Sequence, residues 1–196
     1  NQPGELWVEQ FGDLKRFDAE ALDLNHLKAL ARLVAQSTEQ TISEENPLLS
    51  ANLPEGYRIQ IIFPPACEPG RVAMSIRKQM VLNFDLDKYE ELGAFDYTTV
   101  TKQDNKVDAE LSAMLEAGDI KQFLRKAITS KKNMIISGGT STGKTTFFNA
   151  MLKEVDRNER IITLEDAREI MLNHIPNHLH LIASRGRQGR AQVGMQ

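Results

Sequence analysis

The stretch Asn133-Met134-Ile135-Ile136-Ser137-Gly138-Gly139-Thr140-Ser141-Thr142-Gly143-Lys144-Thr145-Thr146 decides the fold. Residues 138–145 satisfy the spacing G-x-x-x-x-G-K-[ST]. Glycines at the two ends let the backbone turn tightly and aim successive N–H groups inward, which makes a concave anion nest at a helix N-terminus. The spacing places the Lys144 ammonium on the β- and γ-phosphates of a nucleotide and the Thr145 hydroxyl on Mg²⁺, with Thr146 next in the first helical turn. Gly138, Gly139, Thr140, Ser141, Thr142, Gly143, Lys144, Thr145 and Thr146 are therefore the expected nucleotide-binding residues, with ATP and Mg²⁺ as the expected ligands.

The flanks agree with that reading. The apolar run 133–137 predicts a buried strand before the loop, and Phe147-Phe148-Asn149-Ala150-Met151-Leu152 continues it as a helix from Lys144 to about Val155. Arg160 to Leu164 predicts a second strand. Strand, loop, helix and strand in about thirty residues make a βαβ unit, so this region is expected to be α/β with a parallel sheet. The second strand runs into Glu165-Asp166. Parallel sheets bind ligands at the carboxyl ends of their strands, so these carboxylates are candidates for the Mg²⁺ hydration shell and for polarising an attacking water. Glu165 is preferred because it directly follows the apolar strand.

Upstream, Leu111, Met114 and Leu115, then Phe123, Leu124 and Ile128, predict two short helices separated at Gly118-Asp119. Residues 83 to 106 are polar and mixed, and are expected to link two domains. The domain scheme is then 1–82 as an N-terminal α+β domain, 83–106 as linker, and 107–196 as the first part of a nucleotide-binding domain.

Within 1–82, Leu6-Trp7-Val8 predicts a short strand. Asp18 to about Gln36 predicts a helix capped by Asp18, because Leu27, Leu30, Ala31 and Val34 follow helical spacing. Asn46-Pro47 and Leu53-Pro54-Glu55-Gly56 read as turns. Two alternating runs follow, Arg58 to Phe63 and Val72 to Arg77, with prolines between them, as in an antiparallel pair with an irregular loop. A symmetric pairing sets Ile61 opposite Met74, Ile59 opposite Ile76 and Arg58 opposite Arg77. Like charges directly opposed are unfavourable, and an anion between them removes that cost. Arg58 and Arg77 are thus candidates for gripping a nucleotide phosphate; the other reading is two solvated side chains paired with nearby acids.

Composition bounds the rest. The 196 residues are 41% hydrophobic and 26% charged, with net charge −3, so no overall basic field points to nucleic acid or an acidic membrane. The single cysteine, Cys67, rules out an internal disulfide. No apolar run of about 18 residues is present to form a membrane-spanning helix. Asn1-Gln2-Pro3-Gly4 reads as turn chemistry, and the chain is expected to be part of something longer. Several other motifs are set aside. Asn105-Lys106-Val107-Asp108 matches a guanine-reading motif but precedes the phosphate loop. His174, His178 and His180 lack partners at metal spacing and read as surface or packing residues. Arg185-Gly186-Arg187-Gln188-Gly189-Arg190 reads as a solvated loop, Cys67 as non-catalytic, and Trp7 as a core or interface anchor.

Gln2-Pro3-Gly4-Glu5-Leu6-Trp7-Val8-Glu9, Leu53 to Gln60, Ser75-Ile76-Arg77-Lys78, Ile136 to Thr146 and Thr163-Leu164-Glu165-Asp166-Ala167-Arg168-Glu169 together resemble the hexameric traffic ATPases of bacterial type IV secretion and conjugation (the VirB-eleven family). The resemblance implies an N-terminal α+β domain linked to a RecA-like domain, with ATP between them. Phe11 to Phe17 would lead into the first helix, Glu165-Asp166 would be the acidic box, and Arg58 and Arg77 would approach the phosphates. It also implies a homo-hexamer, peripheral on the cytoplasmic face of the inner membrane, that engages other secretion components in pilus assembly and substrate export. Direct nucleic-acid contact is left open. The family's Walker B strand and histidine motif have no counterpart in the residues up to Gln196. Two other classes stay open: a nucleotide-responsive assembly module without turnover, and a P-loop kinase.

Overall fold

The computed structural model describes residues 2–10, 12–78, 85–96 and 106–183. By packing, the chain forms two compact units, residues 1–79 with 157–196, and residues 80–156. The N-K-x-D residues before Lys106 and the basic stretch 185–190 lie outside the described residues.

The first unit opens with a hairpin of β1 (Glu5–Gln10) and β2 (Asp13–Asp18), paired antiparallel with Leu6 opposite Phe17. Residues 13–18, expected to lead into the first helix and cap it, are a strand instead. The reason lies just downstream: the Ala19 amide donates to Gly4 and the Gly4 amide to Leu22, so 19–22 turns back onto the hairpin. Helix α1 (Leu24–Ser37) starts only at Asp23, whose carboxylate accepts from the His26 amide at 2.7 Å. Leu27, Ala31, Val34 and Ala35 form its buried stripe.

That stripe packs against a sheet of three antiparallel strands, β3 (Leu48–Asn52), β4 (Arg58–Ile62) and β5 (Ala73–Arg77), in that order. The β4–β5 register is as expected, with Ile61 opposite Met74, Ile59 opposite Ile76 and Arg58 opposite Arg77. Strand β3 lay hidden between two turn signals; it pairs with β4, setting Ser50 opposite Gln60 and Asn52 opposite Arg58. Alternation sends Leu49, Ile59 and Ile61 into the core and sends Ser50, Gln60 and Ser75 to the other face.

Two further strands complete this unit. Strand β6 (Ile161–Glu165) pairs parallel with β7 (His178–Ile182), an element with no expectation behind it. The pair is fastened to the loop after β4: the Ile182 amide donates to Ala66, Cys67 bridges Leu181, and Arg168 meets Glu68 at 2.9 Å. Cys67, Ala73 and Leu179 form a small buried cluster there.

In the second unit, α2 (Leu86–Glu91), capped by Asp85, occupies part of the polar stretch read as linker. The two expected helices are α3 (Lys106–Glu116) and α4 (Ile120–Thr129), the second capped by Asp119. Arg125 of α4 forks onto Glu154, with both contacts at 2.8 Å, just beyond α5 (Lys144–Leu152). Residues 133–137, expected as a buried strand, take no strand conformation, and Ile135 is 95% exposed. A strand needs ladder partners for its N–H and C=O groups, and among the described residues this run has none.

Two outcomes follow for the core. Ile61 is fully buried at the centre of the α1–sheet interface, so Ile61→Ala is expected to cost about 2–5 kcal/mol in denaturant unfolding. Burial pushes the Cys67 thiol up to about 11, with its sulfur against the Ile62 and Arg71 carbonyls. A thiol reagent at neutral pH is therefore expected to label Cys67 only after unfolding.

Candidate functional site

The phosphate loop is formed as the spacing requires. Gly143 sits at φ +85°, a left-handed conformation at the N-terminus of α5, and Ser141 is also left-handed at φ +60°. Alternating hand along such a turn points amides into one concavity. A side chain at Gly138 would bring its Cβ within 2.8 Å of the Thr142 hydroxyl, which would have to move from the Gly139 carbonyl. Thr142 Oγ1 donates to the Gly139 carbonyl at 2.9 Å, which closes the loop on itself. The Lys144 ammonium donates to the same carbonyl, and no carboxylate pairs with it among the described residues. Its charge thus stands at the loop rim against a neutral group that an anion can replace. The loop residues 138–143 are exposed, and Lys144 and Thr145 are half-buried.

These residues fit a nucleotide polyphosphate. Mg²⁺ on such a loop takes one hydroxyl from the protein and its other ligands from phosphates and water, and Thr145 in the first turn of α5 supplies a hydroxyl of that kind. No group of three or more His, Cys, Asp or Glu suited to a metal occurs among the described residues, so any magnesium would depend on the nucleotide's own oxygens.

The acidic strand end divides into two different carboxylates. Asp166 is exposed, whereas Glu165 is 7% exposed and fully engaged. Its Oε2 accepts from the amides of Glu169 and Ile170, both at 2.8 Å. Its Oε1 accepts from Thr163 Oγ1 at 2.7 Å and lies 2.9 Å from His180 Nδ1. Burial alone would raise this carboxyl; the Thr163 hydroxyl, the two amides and His180 outweigh burial and hold it below the usual carboxylate value. Burial pushes the His180 imidazole below its usual value, against the pull of Glu165. Neither Thr163 nor His180 was singled out from sequence. The signal was available, since Thr163 and Glu165 alternate onto one face of β6 and His-Leu-His alternates in the same way on β7.

The third group is the open face of the three-stranded sheet. Arg58 and Arg77 lie directly opposite each other, as expected, and border a cavity of about 430 Å³ with Ser50, Asn52, Gln60 and Ser75. Among the described residues no acidic side chain lines it. Ser50 Oγ donates to Gln60 Oε1 at 2.8 Å, which leaves the Gln60 amide N–H groups for a ligand. The cavity is therefore rich in donors and positive charge, the chemistry of an anion site. The phosphate loop belongs to the second compact unit, and the acidic strand end and the arginine face belong to the first.

Comparison with known proteins identifies a family for this chain. The profile of the type II/IV secretion system protein family matches residues 1–181. The type IV secretion system protein VirB11 of Brucella suis is 38% identical over 182 residues, which is 92% of this chain and 50% of that protein. The PtlH homolog of Bordetella bronchiseptica is 38% identical over 190 residues, covering 97% of this chain and 56% of the relative. The crystal structure of the VirB11 ATPase from the Brucella suis type IV secretion system, in complex with sulphate, superposes with a TM-score of 0.89 at 38% identity, covering 93% of this chain and 56% of that one. The chain spans about half the length of the curated relatives it matches. It is mixed α/β with a parallel strand pair, and it belongs to the type II/IV secretion system protein family, with VirB11 and PtlH type IV secretion proteins among its relatives.

Proposed function

We propose that this chain is the nucleotide-binding portion of an ATP-hydrolysing motor of a bacterial type IV secretion or conjugation system. The observation that carries this reading is the closed glycine loop, with the Lys144 ammonium held at its rim by a backbone carbonyl and by no carboxylate among the described residues. Residues 138–146 would take the triphosphate of ATP, with Lys144 against the β- and γ-phosphates, and Thr145 would hold Mg²⁺. Bound magnesium neutralises charge between the phosphates and orients them. Asp166, exposed at the strand end, would serve the metal's water shell and the attacking water, and Glu165, whose oxygens are already engaged, would act through the turn it holds. Arg58 and Arg77 approach the γ-phosphate, where charge builds as the bond breaks.

In this scheme residues 1–82 are an N-terminal domain, 83–106 a linker, and 107–196 the first part of a RecA-like domain. The full protein works as a homo-oligomeric ring, a hexamer by family resemblance, on the cytoplasmic face of the inner membrane. There it engages other secretion components to drive pilus assembly and substrate export. No helix among the described residues is long and apolar enough to cross a membrane.

Lys144→Ala in the full-length protein is expected to lower ATP-dependent phosphate release by about 10²–10³-fold, the usual effect of losing one charge-stabilising donor. Unchanged release would overturn the hydrolysis reading. The arginine pair gives a second test. Without an anion the pair is a local repulsion, so Arg77→Ala should leave the ligand-free protein equally stable or up to about 1 kcal/mol more stable. The same substitution should lower the thermal stabilisation that sulfate or pyrophosphate gives the wild type, and the remainder should disappear with Lys144→Ala. In turnover assays Arg77→Ala should cost roughly 10³-fold in rate, with a smaller loss of ATP affinity. Equal activity in both proteins would remove Arg77 from the site.

A further inference from the structure

We propose that His180 is a positioning residue which, through the Glu165 carboxylate, sets the turn that presents Asp166. The kinetic consequence rests on the hydrolysis reading above, whereas the structural consequence stands by itself.

Glu165 staples its own turn. One carboxylate oxygen receives the amides of Glu169 and Ile170, four and five residues on, so the backbone from 166 to 170 closes around the side chain. Asp166 opens that turn and is exposed, while Ile170 at its end is buried. The position of Asp166 therefore depends on the direction in which the Glu165 carboxylate is held.

That direction is fixed from the other oxygen. Thr163 and His180 lie opposite each other in the parallel register, with Thr163 Oγ1 2.7 Å from His180 Nδ1, and both reach Glu165 Oε1. An ionised carboxylate only accepts. The short Nδ1 contact to Glu165 therefore puts the ring proton on Nδ1, and the lone pair falls on Nε2. His180 is fully buried, and its Nε2 has no hydrogen-bond partner among the described residues. An aliphatic side chain would fill the same space without an orphaned nitrogen. The Nδ1–H bond to Glu165 is what a histidine adds here. From outside, Arg168 on the same turn is held by Glu68, which also pairs with Arg71. The turn is thus gripped on both sides, by a buried triad within and by an ion pair at the surface.

The test compares His180→Asn, His180→Leu and Thr163→Val in the full-length protein. Asparagine keeps a donor where Nδ1 stands and discards Nε2; leucine keeps bulk and discards both; valine removes only the hydroxyl. Hydrogen exchange read at the Glu169 and Ile170 amides should be about tenfold faster in His180→Leu and Thr163→Val and unchanged in His180→Asn. ATP turnover should follow the same order, with kcat about tenfold lower in His180→Leu, KM for MgATP within about twofold, and His180→Asn near wild type. Wild-type exchange in His180→Leu would overturn the proposal, as would a His180→Asn protein loosened as much as His180→Leu. If His180→Leu does not fold, Thr163→Val against His180→Asn decides by the same exchange readout. A wild type that hydrolyses no ATP would sink the hydrolysis reading, and the exchange comparison would still decide the role of His180.

Discussion

The antiparallel ladder of β3, β4 and β5 has a period of two, and nearly every feature of the N-terminal part follows from which residues that period sends to which face. Leu49, Ile59 and Ile61 meet the stripe of α1, while Asn52, Arg58 and Arg77 line up across the opposite face. A slip of one residue would bury the arginines and expose the isoleucines. The hydrophobic core therefore holds the two guanidinium groups opposite each other, although their charges resist it. The opposed arginines are thus a by-product of packing.

The acidic strand end shows a different division of labour. Two adjacent carboxylates on one strand look equivalent in a list of residues, yet alternation sends Glu165 inward and leaves Asp166 outside. A buried carboxylate is tolerated only when its oxygens are supplied with donors. Thr163, His180 and two backbone amides do this for Glu165. The buried charge then serves as a fixed point around which the following turn is built.

The legible parts of the sequence were those decided locally. The glycine loop and the helix break at Gly118 follow from spacing within a few residues, and the pairing of Arg58 with Arg77 from two alternating runs set symmetrically about one loop. What escaped depended on distant partners. Residues 13–18 carry enough polar side chains to pass for a helix lead, and only their ladder to β1 makes them a strand. Leu48 to Asn52 is five residues between turn signals, and β4 alone gives it an identity. The run 133–137 is the opposite case, since its composition favours a strand but no neighbour among the described residues completes the ladder. His180 is buried, within its reading as a surface or packing residue, but its pairing with Glu165 needed the β6–β7 register, which joins residues fifteen apart.

The strap joining the loop after β4 to the last described strand has a consequence for biosynthesis. Ala66 and Glu68 meet partners at Ile182 and Arg168, the latter 100 positions away. Helix α1 and its three-stranded partner can assemble while the ribosome is still translating the phosphate loop. Their far flank stays uncovered until residue 183 has cleared the exit tunnel. During that interval Cys67 and Ala73 lack the cover that Leu179 later provides, which makes this flank a natural place for a nascent-chain chaperone to hold.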